Sequence, residues 1–362
     1  MRYELRKMWG RWEVLLVLLA ACLFLYAYTE STLPALYEET KFIMDAYEGT
    51  MNEEWKEKVT KTYDKVIGDG SRISDRELQT NLDYVVLRNA YYFTSFDQNV
   101  DRTVATLQAQ LKLEGHSGQL DDVESTYSNL KAHSDQLVYG YGMGYYMFLD
   151  AITILARVFL VVMIFLCVDV FTREKETDMK EMILTMKQGK KELSRRKFNC
   201  CILSGGFIYL VLLAVVLVTI YNRTGFEGGN TCIQDFLENF CPYMWDSKKY
   251  TVIVCIFSFL ASIVCSAVIA TIARYSKSMI QSGVVMVTFL LVPMFFKLKL
   301  FHISIYYWFS KFLTPEYFFI SYERTSIGRI CFSNWIIAAG ILIALSIATI
   351  SLAWRKERRE LL

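Results

Sequence analysis

The chain has 362 residues, of which 54% are hydrophobic and 15% aromatic, and its mean hydropathy is +0.26. These values are typical of a polytopic membrane protein and argue against an ordinary soluble domain. The formal net charge of +2 gives no general attraction to nucleic acid, so we expect no nucleic-acid partner. The basic residues are concentrated in particular segments, where they indicate membrane topology.

Residues 1–28 begin as a basic amphipathic stretch and continue as an apolar run. The basic stretch predicts an interfacial helix on the cytoplasmic surface, and residues 12–28 predict the first membrane span. A cleaved signal peptide is the alternative, because Leu-Ala-Ala-Cys at 19–22 resembles a lipoprotein cleavage site. The apolar run continues beyond Cys22, which favours an uncleaved anchor.

Residues 29–145 are more polar and predict an α-helical extracytoplasmic domain. One long amphipathic helix is predicted from apolar residues at spacings of four and seven, namely Leu36, Ile43, Tyr47, Met51, Trp55 and Val59. Glycines at 68 and 70 should end it. Ser74 opens a capping-box pattern for a second helix, and a third should follow the break at residues 115–118.

Hydropathy predicts five more spans, at residues 146–170, 200–221, 251–273, 279–296 and 335–354. The last four belong to the region 199–362. The basic amino terminus, residues 171–198, residues 274–278 and the tail 355–359 then fall on one side, which the positive-inside rule makes cytoplasmic. The predicted fold is an all-α membrane protein with six transmembrane helices and the extracytoplasmic domain between helices 1 and 2.

The second predicted span contains Asp150 and, near its middle, Arg157. A charge at this depth is costly and usually faces a bundle interior or a wet cavity. Because the two residues are seven apart, they lie about two helical turns along one face. Three interpretations stay open: a charge on a substrate pathway, an internal pair with Asp150, or an arginine that stabilises a neighbouring helix end.

Two of the predicted external loops carry further signals. Cys232 and Cys241 share the loop 222–249, where an oxidising compartment favours a disulfide over free thiols. The loop 297–334 is rich in aromatic residues. Its apolar segments are too short to span a membrane and predict interfacial or re-entrant helices.

Residues 171–198 join the second and third predicted spans and contain nine Lys or Arg residues. A short amphipathic helix ended by Gly189 is predicted from four apolar residues at helical spacing, Met179, Met182, Ile183 and Met186. The basic excess places this helix in the cytoplasm.

No residues suggest catalysis or metal binding in this chain. His116, His133 and His302 are scattered along the sequence, so they predict no metal cluster. Gly189-Lys190 lacks the earlier glycine and the following Ser or Thr of a phosphate loop. We therefore expect no catalytic residue, metal site or cofactor site.

The order of these segments, together with FTREKETDMKEMILTMKQGKKELSRRK at 171–197, resembles the ABC-2 family of ATP-binding-cassette permeases. The similarity is concentrated in residues 171–197, and the six-span plan and the aromatic loop extend it over most of the chain. It implies a coupling helix that docks on a separate cassette ATPase, which binds ATP and Mg²⁺. The implied contact residues are Glu174, Glu176, Met179, Met182, Ile183 and Met186.

The resemblance implies the permease subunit of an exporter in a bacterial cell membrane, which is not itself an enzyme and pairs with a second copy or a related permease. The first expected substrate class is a hydrophobic or amphipathic molecule such as a peptide or bacteriocin, ahead of a lipid-linked glycan or a drug. For residues 171–198, the alternative is that the loop lies on lipid headgroups. Its five acidic residues would weaken that contact. The alternative for the whole protein is a membrane sensor with a ligand-binding extracytoplasmic domain.

Overall fold

The computed structural model describes residues 2–32, 37–69, 82–113, 119–176, 189–235, 241–276, 278–295, 299–300, 303–304, 309–319, 324–327 and 330–359. This part of the chain is mostly helical. Its α-helices are α1 Arg2–Trp9, α2 Trp12–Ser31, α3 Tyr37–Asp45, α4 Glu53–Asp69, α5 Leu82–Thr94, α6 Phe96–Leu113, α7 Leu120–Ala132, α8 Met143–Glu176, α9 Gly189–Thr224, α10 Ser247–Tyr275, α11 Met279–Met286 and α12 Asn334–Arg359.

The long helices α8, α9 and α10 pack against one another, with α2 against α8 and α9, α11 against α8 and α12 against α10. Phe159 and Tyr209 meet edge to face in this core, with ring centroids 5.3 Å apart. The outward residues remain apolar: Leu23, Ile256 and Ile347 are each more than half exposed. Exposed apolar faces around a packed interior are what a helix bundle presents to lipid.

Within the described residues, five helices are long and apolar enough to cross a membrane: Trp12–Ser31, Met143–Val168, Leu193–Thr224, Ser247–Tyr275 and Asn334–Ser351. They correspond to the predicted spans 1, 2, 3, 4 and 6. The protein therefore has the apolar helices of a multi-pass membrane protein.

The fifth predicted span is a shorter apolar segment, Met279–Phe295. It begins as α11 but continues as a π-helical turn, Val287–Leu291, and ends as a 3₁₀ turn, Val292–Phe295. Pro293 lies in the last turn, where it has no N–H to donate to an α-helical ladder. The six long membrane helices predicted from hydropathy are thus five long helices and this shorter one.

The inserted domain, residues 37–142, lies between α2 and α8. Its predicted first helix is wrong, because α3 ends at Asp45 and α4 begins at Glu53, with strand β1 (Gly49–Thr50) between them. The strand pairs with β2 (Val138–Tyr139), and Asn52 Oδ1 accepts a hydrogen bond from the Trp55 amide at 2.9 Å and so starts α4. The apolar spacing survives this break because Met51, Trp55 and Val59 enter the same core.

That core is separate from the bundle core and takes buried residues from each described α-helix of the inserted domain. Phe93 from α5, Phe96 from α6, Tyr127 from α7 and Tyr139 from β2 are all at most 4% exposed. A large aromatic core of this kind buries enough apolar area to hold the domain's helices together. The predicted capping box at Ser74 and the break at residues 115–118 lie outside the described residues.

The aromatic segment after α11 contains no helix longer than a 3₁₀ turn in its described part. It has two short hairpins, β3 (Lys299–Leu300) with β4 (Ile303–Ser304) and β5 (Arg324–Ile327) with β6 (Ile330–Ser333). Between them lie the 3₁₀ turns Phe309–Leu313 and Pro315–Phe318. In the described residues, the helices of this segment are thus limited to these two short 3₁₀ turns. Pro315 starts the second turn and, having no N–H, cannot extend the first one as an α-helix.

Candidate functional site

The two helices that enter residues 171–198 extend beyond their apolar segments. Helix α8 continues from the apolar window Met143–Val168 to Glu176, and α9 begins at Gly189, before its apolar window starts at Leu193. Gly189, which was predicted to end the short helix of the loop, therefore begins α9 in the structure. Glycine is tolerated at a helix start, and the buried residues one to three turns later hold α9 against α8.

We call this paired region the neck and define it by Cys167, Val170, Phe171, Lys197 and Phe198. The Lys197 ammonium donates to the Val170 carbonyl oxygen at 3.2 Å, and it is only 5% exposed. Phe171 and Phe198 are buried as well. A charge-assisted hydrogen bond inside an apolar contact fixes the two helices to each other where they enter the loop.

The predicted ATPase-contacting residues fall in and beside this loop. Glu174 and Glu176 belong to the last turns of α8. The other four, Met179, Met182, Ile183 and Met186, lie outside the described residues. The long helices on either side of those residues, α8 and α9, are packed together at the neck.

Asp150 and Arg157, the two charges of the second span, have different partners and form no ion pair with each other in the described structure. The Tyr28 hydroxyl of α2 donates to Asp150 Oδ2 at 2.9 Å. The Arg157 guanidinium carbon lies 4.9 Å from the ring centroid of Phe295, the last residue of the 3₁₀ turn after α11. The two charges therefore have separate direct partners, and Arg157 lies at a neighbouring helix end.

Lys311 is a second cation at the same helix end, and it was not among the predicted site residues. Its ammonium donates to the Met294 carbonyl oxygen at 3.2 Å, and the residue is 2% exposed. The last carbonyl groups of a helix carry partial negative charge, which a cation stabilises. A signal was present in the sequence, since Lys311 lies between Phe309 and Phe312 in an apolar segment where a charge is costly.

The predicted disulfide between Cys232 and Cys241 is not formed, because the two residues belong to different cores. Cys232 packs in the core of the inserted domain, whereas Cys241 belongs to the bundle core. The Cys241 thiol donates to the Phe319 carbonyl oxygen at 2.9 Å. Burial raises the pKa of Cys241 to about 12, so this thiol stays neutral and unreactive near neutral pH.

Within the part of the chain that the structure describes, no three His, Cys, Asp or Glu side chains are placed to hold a metal ion. The residues that stand out are instead the neck, where two helices are joined, and the cations Arg157 and Lys311 at one helix end. The first arrangement can transmit a displacement, and the second can attract an anion.

Comparisons with protein-family models, curated proteins and solved structures gave no match to this chain. Its class is therefore set by its five long apolar helices, which make it a multi-pass membrane protein by length and composition.

Proposed function

We propose that this chain is the permease subunit of an ATP-driven exporter, powered by a separate cassette ATPase that docks on residues 171–198. The observation that carries the proposal is the neck. A docking helix can move membrane helices only if it is connected to them rigidly. The buried Lys197–Val170 hydrogen bond and the apolar contacts around it supply that connection.

The lengths of α8 and α9 support the same role. Their 34 and 36 residues correspond to about 51 and 54 Å at 1.5 Å per residue. A hydrocarbon core of about 30 Å cannot contain either helix completely. Their ends at the neck would project into water, where a partner protein can reach them.

The two chain termini support a topology with six crossings. Helix α12 begins beside β6 and the Pro315–Phe318 turn, and Phe318 packs near Phe257 in the first half of α10. The basic end of α12 would then lie at the same end of the bundle as the neck. Trp9 of α1 donates to Ser204 of α9 at 3.1 Å. Ser204 lies closer to the neck end of α9 than to the end beside the inserted domain, so α1 also lies near the neck. In the proposed topology Met279–Phe295 and the aromatic segment complete the fifth crossing, and both termini and the neck are cytoplasmic.

The proposed cargo is a hydrophobic or amphipathic molecule, such as a peptide or bacteriocin, that leaves a bacterial cell. A second copy of the chain or a related permease would complete the membrane unit. ATP and Mg²⁺ would bind to the partner ATPase. The inserted domain would lie outside the cell, as expected for the polar region between the first two spans.

Co-purification with a co-expressed cassette ATPase tests the proposal. The variant is the double substitution Glu174→Lys, Glu176→Lys at the end of α8. We expect the tagged wild type to retain the ATPase in mild detergent and the variant to lose it, because the substitutions replace two acidic side chains of the proposed docking surface with basic ones and remove their charge complementarity to the partner.

The matched control is Glu54→Lys, Glu124→Lys, which makes the same charge change at exposed sites of the inserted domain. This control should retain the ATPase. Failure of the wild type to capture any cassette ATPase would contradict the permease proposal and favour the membrane sensor. Equal loss from both double variants would show that net charge, and not the loop, governs the association.

A further inference from the structure

Arg157 carries a buried hydrogen-bond donor, its Nε–H group, that has no acceptor in the described part of the chain. Buried polar groups are nearly always hydrogen-bonded, and an exception calls for a missing water, ion or ligand. A charged residue in a membrane helix is also costly to keep. Among the described residues, the site therefore offers the Arg157 Nε–H group no acceptor.

Stabilisation of the neighbouring helix end does not account for this arginine. The carbonyl oxygen of Met294 at that end already accepts from Lys311. Arg157 contacts the ring of Phe295, and this cation–π contact uses the face of the guanidinium and leaves its N–H groups available. The acid nearest to it along α8, Asp150, accepts from Tyr28.

A second buried donor lies next to Lys311. The Ser310 hydroxyl is fully buried and has no hydrogen-bond partner among the described residues. Ser310 and Lys311 belong to the 3₁₀ turn Phe309–Leu313, which contacts α8 and the Val292–Phe295 turn. Two cations and an unused hydroxyl thus surround one helix end within the bundle, an arrangement that favours a negative group.

An apolar strip continues from Arg157 along the same face of α8. Val161 and Phe165 follow at intervals of four residues, which places them on one helix face, and they are 52% and 40% exposed. A ligand with a charged group at Arg157 could lay a hydrocarbon chain along this strip. The planar guanidinium binds a carboxylate or phosphate through two parallel hydrogen bonds.

We propose that Arg157 binds the carboxylate or phosphate group of an anionic amphiphile whose hydrocarbon chain lies along Val161 and Phe165. If the exporter function proposed above is correct, this site assigns its cargo to anionic amphiphiles. Only that assignment rests on the proposed function. Binding itself requires no ATPase and is tested without one.

The test uses the full-length chain in nanodiscs of zwitterionic phosphatidylcholine, with a photoactivatable fatty acid as the probe and the corresponding fatty alcohol as its neutral counterpart. Saturable labelling and the labelled peptides are measured by mass spectrometry. We expect the fatty acid to label α8. The Arg157→Gln substitution should raise the fatty-acid concentration that gives half-maximal labelling by at least about tenfold, the scale of one lost charge-assisted contact. Labelling by the alcohol should not depend on Arg157.

Two further variants distinguish a loss of fatty-acid binding from a loss of folded protein. Arg157→Lys retains the charge without the planar pair of donors, so we expect intermediate labelling. Arg223→Gln removes an exposed arginine of α9 that pairs with Glu30 and should label like the wild type. Fatty-acid labelling of correctly folded Arg157→Gln equal to that of the wild type would overturn the proposal. A lower melting temperature without weaker labelling would overturn it too, and would leave Arg157 with a structural role.

The source of the anionic group is determined by adding phosphatidylglycerol to the nanodiscs. Competition that abolishes fatty-acid labelling would support the site and identify a bilayer phospholipid as its occupant. Labelling that persists would support the site and identify a free amphiphile. Because both arms omit the ATPase, failure of binding leaves the co-purification test of the exporter function unaffected.

Discussion

The two ends of the α8–α9 pair are held together by different means. At the neck, the contact is buried and apolar, with one internal hydrogen bond from Lys197 to the Val170 carbonyl. At the other end, beside the inserted domain, Gly144 brings the backbone of α8 close to Thr224, and the Tyr145 hydroxyl donates to the Phe226 carbonyl at 3.1 Å. The neck resists separation because its contact is buried. The far end resists it because the backbone of α8 at Gly144 lies close to the Thr224 side chain of α9.

Because contacts close both ends, α8 and α9 can act as one unit. In the proposed exporter, a displacement applied at the neck would reach the inserted domain only if both ends stayed closed. Close packing transmits strain with little compression, so α8 and α9 should move together. The following changes weaken one end at a time.

The largest loss of stability is expected from Gly144→Ala. A Cβ atom at this position would overlap Thr224 Oγ1 and lie 3.2 Å from Thr224 Cβ. Overpacking of this kind should lower the free energy of unfolding by about 1–3 kcal/mol, measured by unfolding in a denaturing detergent. The control Gly206→Ala, where the nearest atom would be 3.8 Å away, should be neutral or slightly stabilising. Equal effects would contradict close packing at the inserted-domain end.

At the neck, Lys197→Ala should destabilise the protein by about 1–2 kcal/mol, because it removes a charged hydrogen bond and the packing of the buried side-chain stem. The neighbouring Arg196 is exposed, so Arg196→Ala should change stability by less than about 0.5 kcal/mol. The same detergent unfolding measurement compares the two variants. An unchanged Lys197→Ala protein would mean that the neck is held by its apolar residues alone.

A smaller effect is expected from Tyr145→Phe, which removes the hydroxyl that reaches Phe226 and keeps the ring. The expected loss is about 0.5–1.5 kcal/mol, the net value of one hydrogen bond. Tyr146 is 49% exposed, and Tyr146→Phe is the matched control without an effect. If both variants behaved like the wild type, the Tyr145 hydroxyl would not contribute to closing this end.

The smallest effect is expected from Glu30→Gln. Glu30 of α2 pairs with Arg223 of α9, with Oε2 2.7 Å from the guanidinium Nη2 atom, but Arg223 is exposed and such pairs are screened by salt. The melting temperature should fall slightly at low salt and match the wild type at high salt. Glu54→Gln, at an exposed position of the inserted domain, should show neither change. A large decrease that persists at high salt would mean that the pair is shielded from solvent.

Hydropathy predicted the bundle well because membrane helices need long apolar runs, and five of these are present. The fifth predicted span, Met279–Phe295, is a shorter apolar helix that ends in a 3₁₀ turn containing Pro293, a local change that hydropathy does not report. Periodicity identified the core residues Met51, Trp55 and Val59 but not the strand before them, which forms only by pairing with residues nearly ninety positions later.

The candidate sites were predictable to different degrees. Arg157 was recognisable because a charge in an apolar run is unusual, although its contact with Phe295 requires the fold. The partner of Asp150 was missed because Tyr28 belongs to another helix. Cys232 and Cys241 suggested a bond because they share one predicted external loop, and a shared loop does not report that they pack in separate cores.

Photo-crosslinking from residue 182 tests the central claim most directly. A photoreactive amino acid replaces Met182 in the middle of the predicted coupling helix, and the control carries it at Phe42 of the inserted domain, which is 81% exposed. In cells that express a candidate cassette ATPase, we expect the probe at 182, and not the one at 42, to form a covalent adduct that mass spectrometry identifies as that ATPase. Adducts of the 182 probe with lipid alone would contradict the account and place residues 171–198 on the membrane surface.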